Sequence, residues 1–350
     1  MLNDLSGSPK VLSLVIKGVL SRGYKAELFT SKNNYGFLSG IDGVKYHYVN
    51  YGLSGSRAFN ILRFIVVQFR YFFGVLSYAG SRGTQIYINT MLPLGALLGA
   101  AMIRKRIICH IHEFPGREDK FHKISLKLIK RFAYRIILVS DFQYRLVTVE
   151  SSRKRMIYNA LPEDFVKRAL SHTPIFKNNG NILMACSLRK YKGVDIFIEV
   201  AEKLPLFTFT LLLNSGKEEA EIYFSTINMP SNITLITGSG DIAGFYEKAN
   251  LVLNLSQPDL FIETFGLTIL EAMTYGIPAI VPETGGITEL VDDGVNGFRV
   301  DTSKPDKVVE TIINIFSDEA KYYRLSESSR AKSKLFSYTR MIDQIMEVAG

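Results

Sequence analysis

Apolar positions in this chain fall into two rhythms that take turns from end to end. Short runs dense in branched and aromatic residues read as strands: AELFTS, QIYINT, RIICHIHEF, RIILVS, NILMACS, FTLLLN, ITLIT, LVLNLS and PAIVPE. Between them, apolar positions recur three and four apart, which predicts helices over residues 9–22, 195–204 and 305–316. Strands of this kind alternating with helices imply an α/β fold of parallel sheets covered on both faces. The polar stretch SHTPIFKNNG, residues 171–180, precedes a fresh strand and marks a boundary. Two Rossmann-like domains are therefore expected, residues 1–172 and 173–336, facing across a cleft. Sheets of this type take ligands at the carboxyl ends of their strands.

Composition supports a globular chain: 350 residues, 47% apolar and 21% charged. The net charge of +9 conceals an imbalance. Residues 1–160 hold 24 Lys and Arg against 8 Asp and Glu, whereas residues 161–350 hold 18 against 25. The first half is thus suited to an anionic partner. KFHKISLKLIKR sets Lys120, Lys123, Lys127 and Lys130 on one helical face opposite Phe121, Ile124 and Leu128. Such a helix either lies on an anionic membrane surface or is an ordinary solvated face. A nucleic-acid partner is not expected, because the basic half lacks exposed aromatics interleaved with its cations. Cys109 and Cys186 lie far apart in apolar surroundings and read as reduced core thiols. MLNDLSGSPK carries no leader pattern. TMLPLGALLGAAMI is too short to span a bilayer, and FIVVQFRYFFGVL is interrupted by Gln68 and Arg70, so no transmembrane helix is expected. The expected location is cytoplasmic, with a peripheral place on the inner face of the membrane.

The densest chemistry lies in ETFGLTILE, residues 263–271, which begins and ends on a carboxylate. Buried carboxylates cost free energy unless they are paired. Glu263 falls in the loop after LVLNLS, and a helix begins near Gly266. The amides of Phe265, Gly266, Leu267 and Thr268 belong to its first turn, suited to a phosphate. Glu271 sits more than one turn further in, able to accept hydrogen bonds from a ribose diol. Thr284, Gly285 and Gly286 form a second tight loop.

FIETFGLTILEAMTYGIPAIVPETGGITELVDDGVNGFRV resembles the donor-binding core of the retaining GT-B glycosyltransferases of family GT4. The Glu-x7-Glu spacing, EAM, GIP, GG and DGVNGF occur in that family's order. SGSPKVLSLVIKGVLSRGYKAELFTS resembles its opening Gly-rich loop, helix and strand, HIHEF its His-bearing loop, and SLRKYKGVDIFIEVAEKL its donor-phosphate segment. The resemblance implies a nucleotide-sugar donor, a glycan or lipid-linked acceptor in cell-surface polysaccharide or glycoconjugate synthesis, no cofactor and no catalytic metal. It implies that Glu263 contacts the donor sugar, Glu271 holds the ribose and His112 approaches the sugar. His110 and His112 alternate on a strand end, which leaves His110 to read as a core histidine. Gly7 and Ser8 would meet the diphosphate through their backbone, and Lys192, with Arg189 or Lys190, would neutralise it. The base would sit near Thr237 and Gly238. Residues 337–350 would form the helix that returns to the N-terminal domain.

Two departures stand out. The family's Gly-Arg pair ahead of the lysine is replaced by Cys186 and Ser187. Only residues 1–5 precede the Gly-rich loop, where a full strand is usual, so either a start lies upstream or the sheet lacks its central strand. Competing readings are a GT-B nucleotide-sugar epimerase, which does not share the Glu-x7-Glu block, and a catalytically silent GT-B partner or nucleotide-sugar-binding protein.

Overall fold

The computed structural model describes the chain except residues 1–2, 33–35, 53–56, 117–118 and 239–240. Its elements begin with α1 (Gly7–Ser21), β1 (Ala26–Ser31), β2 (Val44–Val49), α2 (Arg57–Leu76), β3 (Ile86–Asn89) and α3 (Leu94–Met102). They continue with β4 (Ile107–Ile111), α4 (Lys120–Phe132), β5 (Arg135–Leu138), α5 (Asp141–Leu146) and β6 (Lys154–Met156). Next come α6 (Glu163–Ser171), β7 (Asn181–Cys186), α7 (Val194–Lys203), β8 (Thr208–Leu213), α8 (Lys217–Phe224), β9 (Ile233–Thr237) and α9 (Ala243–Tyr246). The remainder is β10 (Leu251–Leu253), α10 (Leu267–Thr274), β11 (Ala279–Pro282), β12 (Gly297–Val300), α11 (Pro305–Phe316), α12 (Glu319–Ser333) and α13 (Tyr338–Ala349).

Two compact units result: Met1–Ala160 with Tyr338–Gly350, and Leu161–Ser337. The division falls earlier than the polar stretch at 171–180 suggests, because α6 packs into the second unit. Phe165 lies edge-on to Tyr246 and Tyr275, and Arg168 reaches Asp241 at 2.9 Å and Glu247 at 2.6 Å. The end of the chain clusters with the first unit through α13, which lies on α1. There Gly18 admits Ile342 at close range, and Arg22 pairs with Asp343.

The second unit holds one six-stranded sheet in the order β12-β11-β10-β7-β8-β9, parallel throughout. Numbered from its own first strand, this is the doubly wound 3-2-1-4-5-6 order, whose direction of winding reverses between β7 and β10. On one face Ile182, Phe209, Leu251 and Ile280 bury against Phe197 of α7 and Ile312 of α11, and on the other Leu183, Val252 and Val281 are buried as well.

The first unit has the same parallel pairing in two pieces. β1 pairs β2, while β3, β4, β5 and β6 form a separate four-stranded sheet. Among the described residues no strand joins β1 to β3, at the place where such a sheet winds in both directions. Side chains span the gap instead. The Asn3 N–H donates to Ser31 Oγ at 2.9 Å, and Asn89 Nδ2 donates to the Ser8 carbonyl at 3.2 Å. Helix α4 forms where its pattern predicts: Asp119 caps it by accepting from the His122 N–H at 3.0 Å, and Lys130 and Arg131 meet the negative end of its dipole.

Gln68 and Arg70 do not interrupt α2. The helix runs unbroken, and Ala58–Leu76 is long and apolar enough to cross a membrane by length and composition. Two polar residues within one turn, on opposite sides of the helix, leave the backbone ladder intact, so they do not end it.

Candidate functional site

In the second unit the crevice of the doubly wound sheet opens between the carboxyl ends of β7 and β10. The sequence brings a cation to one side and a carboxylate to the other. After β7 a short 3-10 turn, Lys190–Lys192, carries Lys192; after β10 the loop carries Glu263. Lys192 Nζ donates to Glu263 Oε2 at 2.7 Å, with both side chains about five-sixths buried, 16% and 17% exposed. The pair is walled by aromatic rings: Tyr191 and Phe261 stack at 4.6 Å, and Lys192 Nζ lies 4.2 Å from the Phe261 centroid. The Gln257 N–H donating to the Tyr191 carbonyl at 2.8 Å ties the two loops together.

Gly266 begins α10 at φ +99°, a left-handed value that a Cβ would strain, and a Cβ would also stand 2.8 Å from Ile287 Cγ1. The first bonds of the helix run from the Ile269 and Leu270 N–H groups to the Gly266 carbonyl. The amides of Leu267 and Thr268 therefore precede the helix's own ladder, on its positive end. The Phe265 ring is core, edge-on to Phe336 at 5.8 Å, so this residue contributes its backbone alone. Gly285 closes the arrangement. Its φ is +105°, a Cβ there would stand 2.5 Å from the Glu263 carbonyl oxygen, and the Gly286 N–H donates to that oxygen at 2.8 Å. One loop after β11 thus fixes the backbone of the carboxylate.

Glu271 lies within α10 and is only 3% exposed. The Tyr246 hydroxyl donates to its Oε2 at 2.6 Å, with the Thr268 carbonyl 3.2 Å away. Burial first, and the adjacent Glu271 charge second, hold the Tyr246 hydroxyl well above its ordinary pKa, so Tyr246 remains a donor. The Cys186 thiol, where the family resemblance expects glycine, is pushed up to about 12 by burial and is a packed neutral group.

The other candidates lie apart from this group. Arg189 is exposed and faces Glu219 at 3.5 Å, and Lys190 is exposed. Thr237 ends β9, the edge strand, two strands from β7 and so roughly 10 Å from the crevice. The Gly238 N–H donates to the Leu213 carbonyl at 3.3 Å.

The first unit gathers its own set. His112 Nε2 lies 2.8 Å from Asn89 Oδ1, while Asn89 Nδ2 donates to the Ser8 carbonyl. That orientation of the amide requires the Nε2–H tautomer of His112. Burial pushes the His112 pKa down to about 3, which makes the imidazole neutral at ordinary pH. His112 and Ser8, far apart in sequence, thus share one amide. Gly7 and Ser8 open α1, whose N-cap residue Ser6 makes no side-chain cap bond. His110 is fully buried and lies 2.7 Å from the Tyr87 hydroxyl through Nδ1. Thr90 adopts φ +77°, strained for a β-branched residue. Its neighbour Met91 donates its N–H to both Glu113 oxygens, at 3.0 and 3.1 Å. Burial raises the Glu113 pKa, with those backbone donors acting against it.

Tyr191, Phe261, Tyr246, Asn89 and Glu113 were not singled out in the sequence. KYKG places Tyr191 beside the lysine, and Asn89 ends a strand in QIYINT; both are visible signals. Tyr246 and Phe261 carry no local mark, since their partners are distant in sequence. Among the described residues no group of three His, Cys, Asp or Glu side chains is placed to hold a metal ion.

Residues 168–332 match the family model described as Glycosyl transferases group 1. The chain is 27% identical over 276 residues to an uncharacterized glycosyltransferase of Methanocaldococcus jannaschii, covering 75% of this chain and 74% of that protein. It is 47% identical over 62 residues to the sucrose synthase of Melioribacter roseus, which is 18% of this chain and 8% of that enzyme. Among solved structures, Anabaena HepE in complex with UDP and glucose matches with a TM-score of 0.78 at 19% identity, covering 99% of this chain and 97% of HepE. The fold is that of the GT-B glycosyltransferases, with Rossmann-like parallel sheets in both units.

Proposed function

We propose that the protein is a retaining glycosyltransferase that moves a sugar from a nucleotide-sugar donor to a glycan or lipid-linked acceptor, in cell-surface polysaccharide or glycoconjugate synthesis, without a metal. The observation that carries this reading is the Lys192–Glu263 pair at the switch point of a doubly wound sheet, beside the N-terminus of α10. The diphosphate meets the Leu267 and Thr268 amides and the Lys192 ammonium. These preorganised positive groups stabilise charge on the leaving diphosphate as its bond to the anomeric carbon breaks. Glu263 accepts hydrogen bonds from sugar hydroxyls with the oxygen it does not share with Lys192. Glu271, one side of it held by Tyr246, accepts from the ribose. The acceptor oxygen bonds to the anomeric carbon on the face the diphosphate leaves, and its proton passes to the departing phosphate oxygen. Neutral His112, in the first unit, is suited to hydrogen-bond a sugar hydroxyl. Gly7 and Ser8 offer first-turn amides at the start of α1, which suit phosphate oxygens in the same way.

The test is turnover with UDP-, GDP- and ADP-sugars without added metal, reading nucleotide release and the anomer of the product. UDP-sugars head the panel because HepE was solved with UDP and glucose. Release of one nucleotide with retained configuration, strongly reduced in Lys192→Ala, supports the proposal. Binding without turnover in the presence of acceptors overturns it in favour of a silent nucleotide-sugar-binding partner.

A further inference from the structure

Helix α2 inverts the usual rule for a surface helix. Its inward flank packs against α3 and β1, while its outward face is largely apolar, with Arg70 exposed at the edge. Val67, Tyr71 and Val75 are buried, Tyr71 edge-on to Phe29 of β1, and Gln68 Oε1 accepts the Gly95 N–H of α3 at 2.8 Å. Gly95 and Gly99 let α3 approach the α2 backbone so closely that a Cβ at Gly95 would collide with the Gln68 carbonyl. On the opposite side Leu62, Val66, Phe69 and Phe73 form a stripe at spacings of four, three and four, with Ile61 and Ile65 beside it. All six are exposed, Phe69 by 59% and Phe73 by 63%. Leu98 and Met102, one turn apart on α3, are exposed too. Among the described residues nothing covers this apolar surface, and one of this extent marks a binding face.

Charge indicates the occupant. Helix α4 reaches α2 through Phe64 and Phe121, whose rings lie 5.3 Å apart. Its outer face carries Lys120, Lys123, Lys127 and Arg131, exposed, with Ile124 exposed alongside them and not on the opposite face as its spacing predicts. A second copy of this chain would bring the same cations against each other, and a nucleic acid would leave the apolar stripe uncovered. An anionic lipid bilayer satisfies both: acyl chains take the stripe and headgroups take the lysines. The helix lies on the surface instead of crossing, because one flank of α2 is fixed against α3 and the β1–β2 sheet. A crossing would require that core to open.

We propose that the stripe on α2, with Leu98 and Met102 of α3 and the basic face of α4, docks the protein in plane on an anionic membrane surface. The inference does not depend on the catalytic reading. The experiment is co-flotation of the full chain with vesicles of phosphatidylglycerol and phosphatidylcholine, against vesicles of phosphatidylcholine alone. Binding to the anionic vesicles is expected, at least about tenfold weaker on neutral ones and reduced by 0.5 M salt, which shortens the screening length to a few Å. Phe69→Glu with Phe73→Glu should abolish it at an unchanged melting temperature, since both side chains already face water. Lys120→Glu with Lys127→Glu should weaken it by more than about tenfold, at about fivefold per cation. Failure of the folded chain to float with either vesicle overturns the proposal, as does unchanged flotation of the Phe69→Glu, Phe73→Glu variant. Concentration-dependent dimers without lipid, lost in that variant, would assign the face to a second copy. Resistance of the membrane-bound chain to alkaline extraction would assign it to a crossing helix.

Discussion

The two units use one architecture to position chemistry in different ways. In the second, the strands on either side of the switch point, β7 and β10, are hydrogen-bonded neighbours, and the loops leaving them deliver Lys192 and Glu263 to within 2.7 Å. In the first, the sheet is split at the equivalent place, and the candidate residues are joined by one side chain, Asn89, between His112 and the Ser8 carbonyl. The difference is one of redundancy. The Glu263 loop is held by several independent contacts: the Gly286 N–H, the close approach of Gly285 and the aromatic wall. The His112 link rests on a single amide, backed by a strained Thr90 that Glu113 holds through Met91.

The strongest way to break this comparison is to remove the charges in the second unit. Glu263→Gln and Lys192→Ala are each expected to lower transfer by about 10²- to 10³-fold, the range for loss of a preorganised electrostatic group. Steady-state turnover with the best donor checks this, and wild-type rates in either would empty the site of its central pair. Gly285→Ala comes next. It forces a Cβ into the left-handed region and against the Glu263 carbonyl, for a predicted loss of about 1–3 kcal/mol in urea melts with a fall in transfer.

Tyr246→Phe leaves a buried carboxylate short of a donor and should cost about 1–3 kcal/mol of stability with weaker nucleotide binding. Asn89→Ala probes the other unit: it should release His112 and lower turnover without changing nucleotide affinity in the second unit. If Asn89→Ala equalled Lys192→Ala in effect, the contrast drawn between the units would fail.

The smallest effect is one of pH. Burial keeps His110 well below its ordinary pKa, and His112 is down at about 3. In the unfolded chain both titrate near 6.5, so below that pH the unfolded state binds protons that the native state refuses. Stability is therefore complete above about pH 6.5 and falls as pH drops toward 3, by at most about 1.4 kcal/mol per unit for each histidine. Partly accessible His112 contributes less than fully buried His110. Urea midpoints at pH 7.5 and 5.5 measure this, and His110→Asn should flatten the slope.

The sequence made the second unit legible because its information is local. Residues 263–286 contain the carboxylates, the helix start and the glycine loop in one block, and the runs from NILMACS to PAIVPE match β7 to β11. Legibility fails where the pattern is short or the partner is remote. β2 was missed because VKYHYV alternates polar and aromatic residues on a half-buried edge strand, and β6 because it is three residues long. The division between the units precedes the polar stretch at 171–180 because α6 packs against Tyr246 and Tyr275, which lie more than seventy residues on. Tyr246 as the partner of Glu271, 25 residues away, has no sequence signature. The apolar outer face of α2 was hidden by reading Gln68 and Arg70 as interruptions instead of assigning each to a side of the helix.

The most direct test of the account is a thermal-shift series on the full chain with nucleoside diphosphates and their sugars, comparing wild type with Glu271→Ala. A ligand at a hundredfold its Kd should add about 2.7 kcal/mol to wild type. The account predicts a shift with one nucleotide that is lost in Glu271→Ala and kept in Glu263→Gln when the free diphosphate is used. An equal shift in wild type and Glu271→Ala, or none with any nucleotide in the folded wild type, would contradict it.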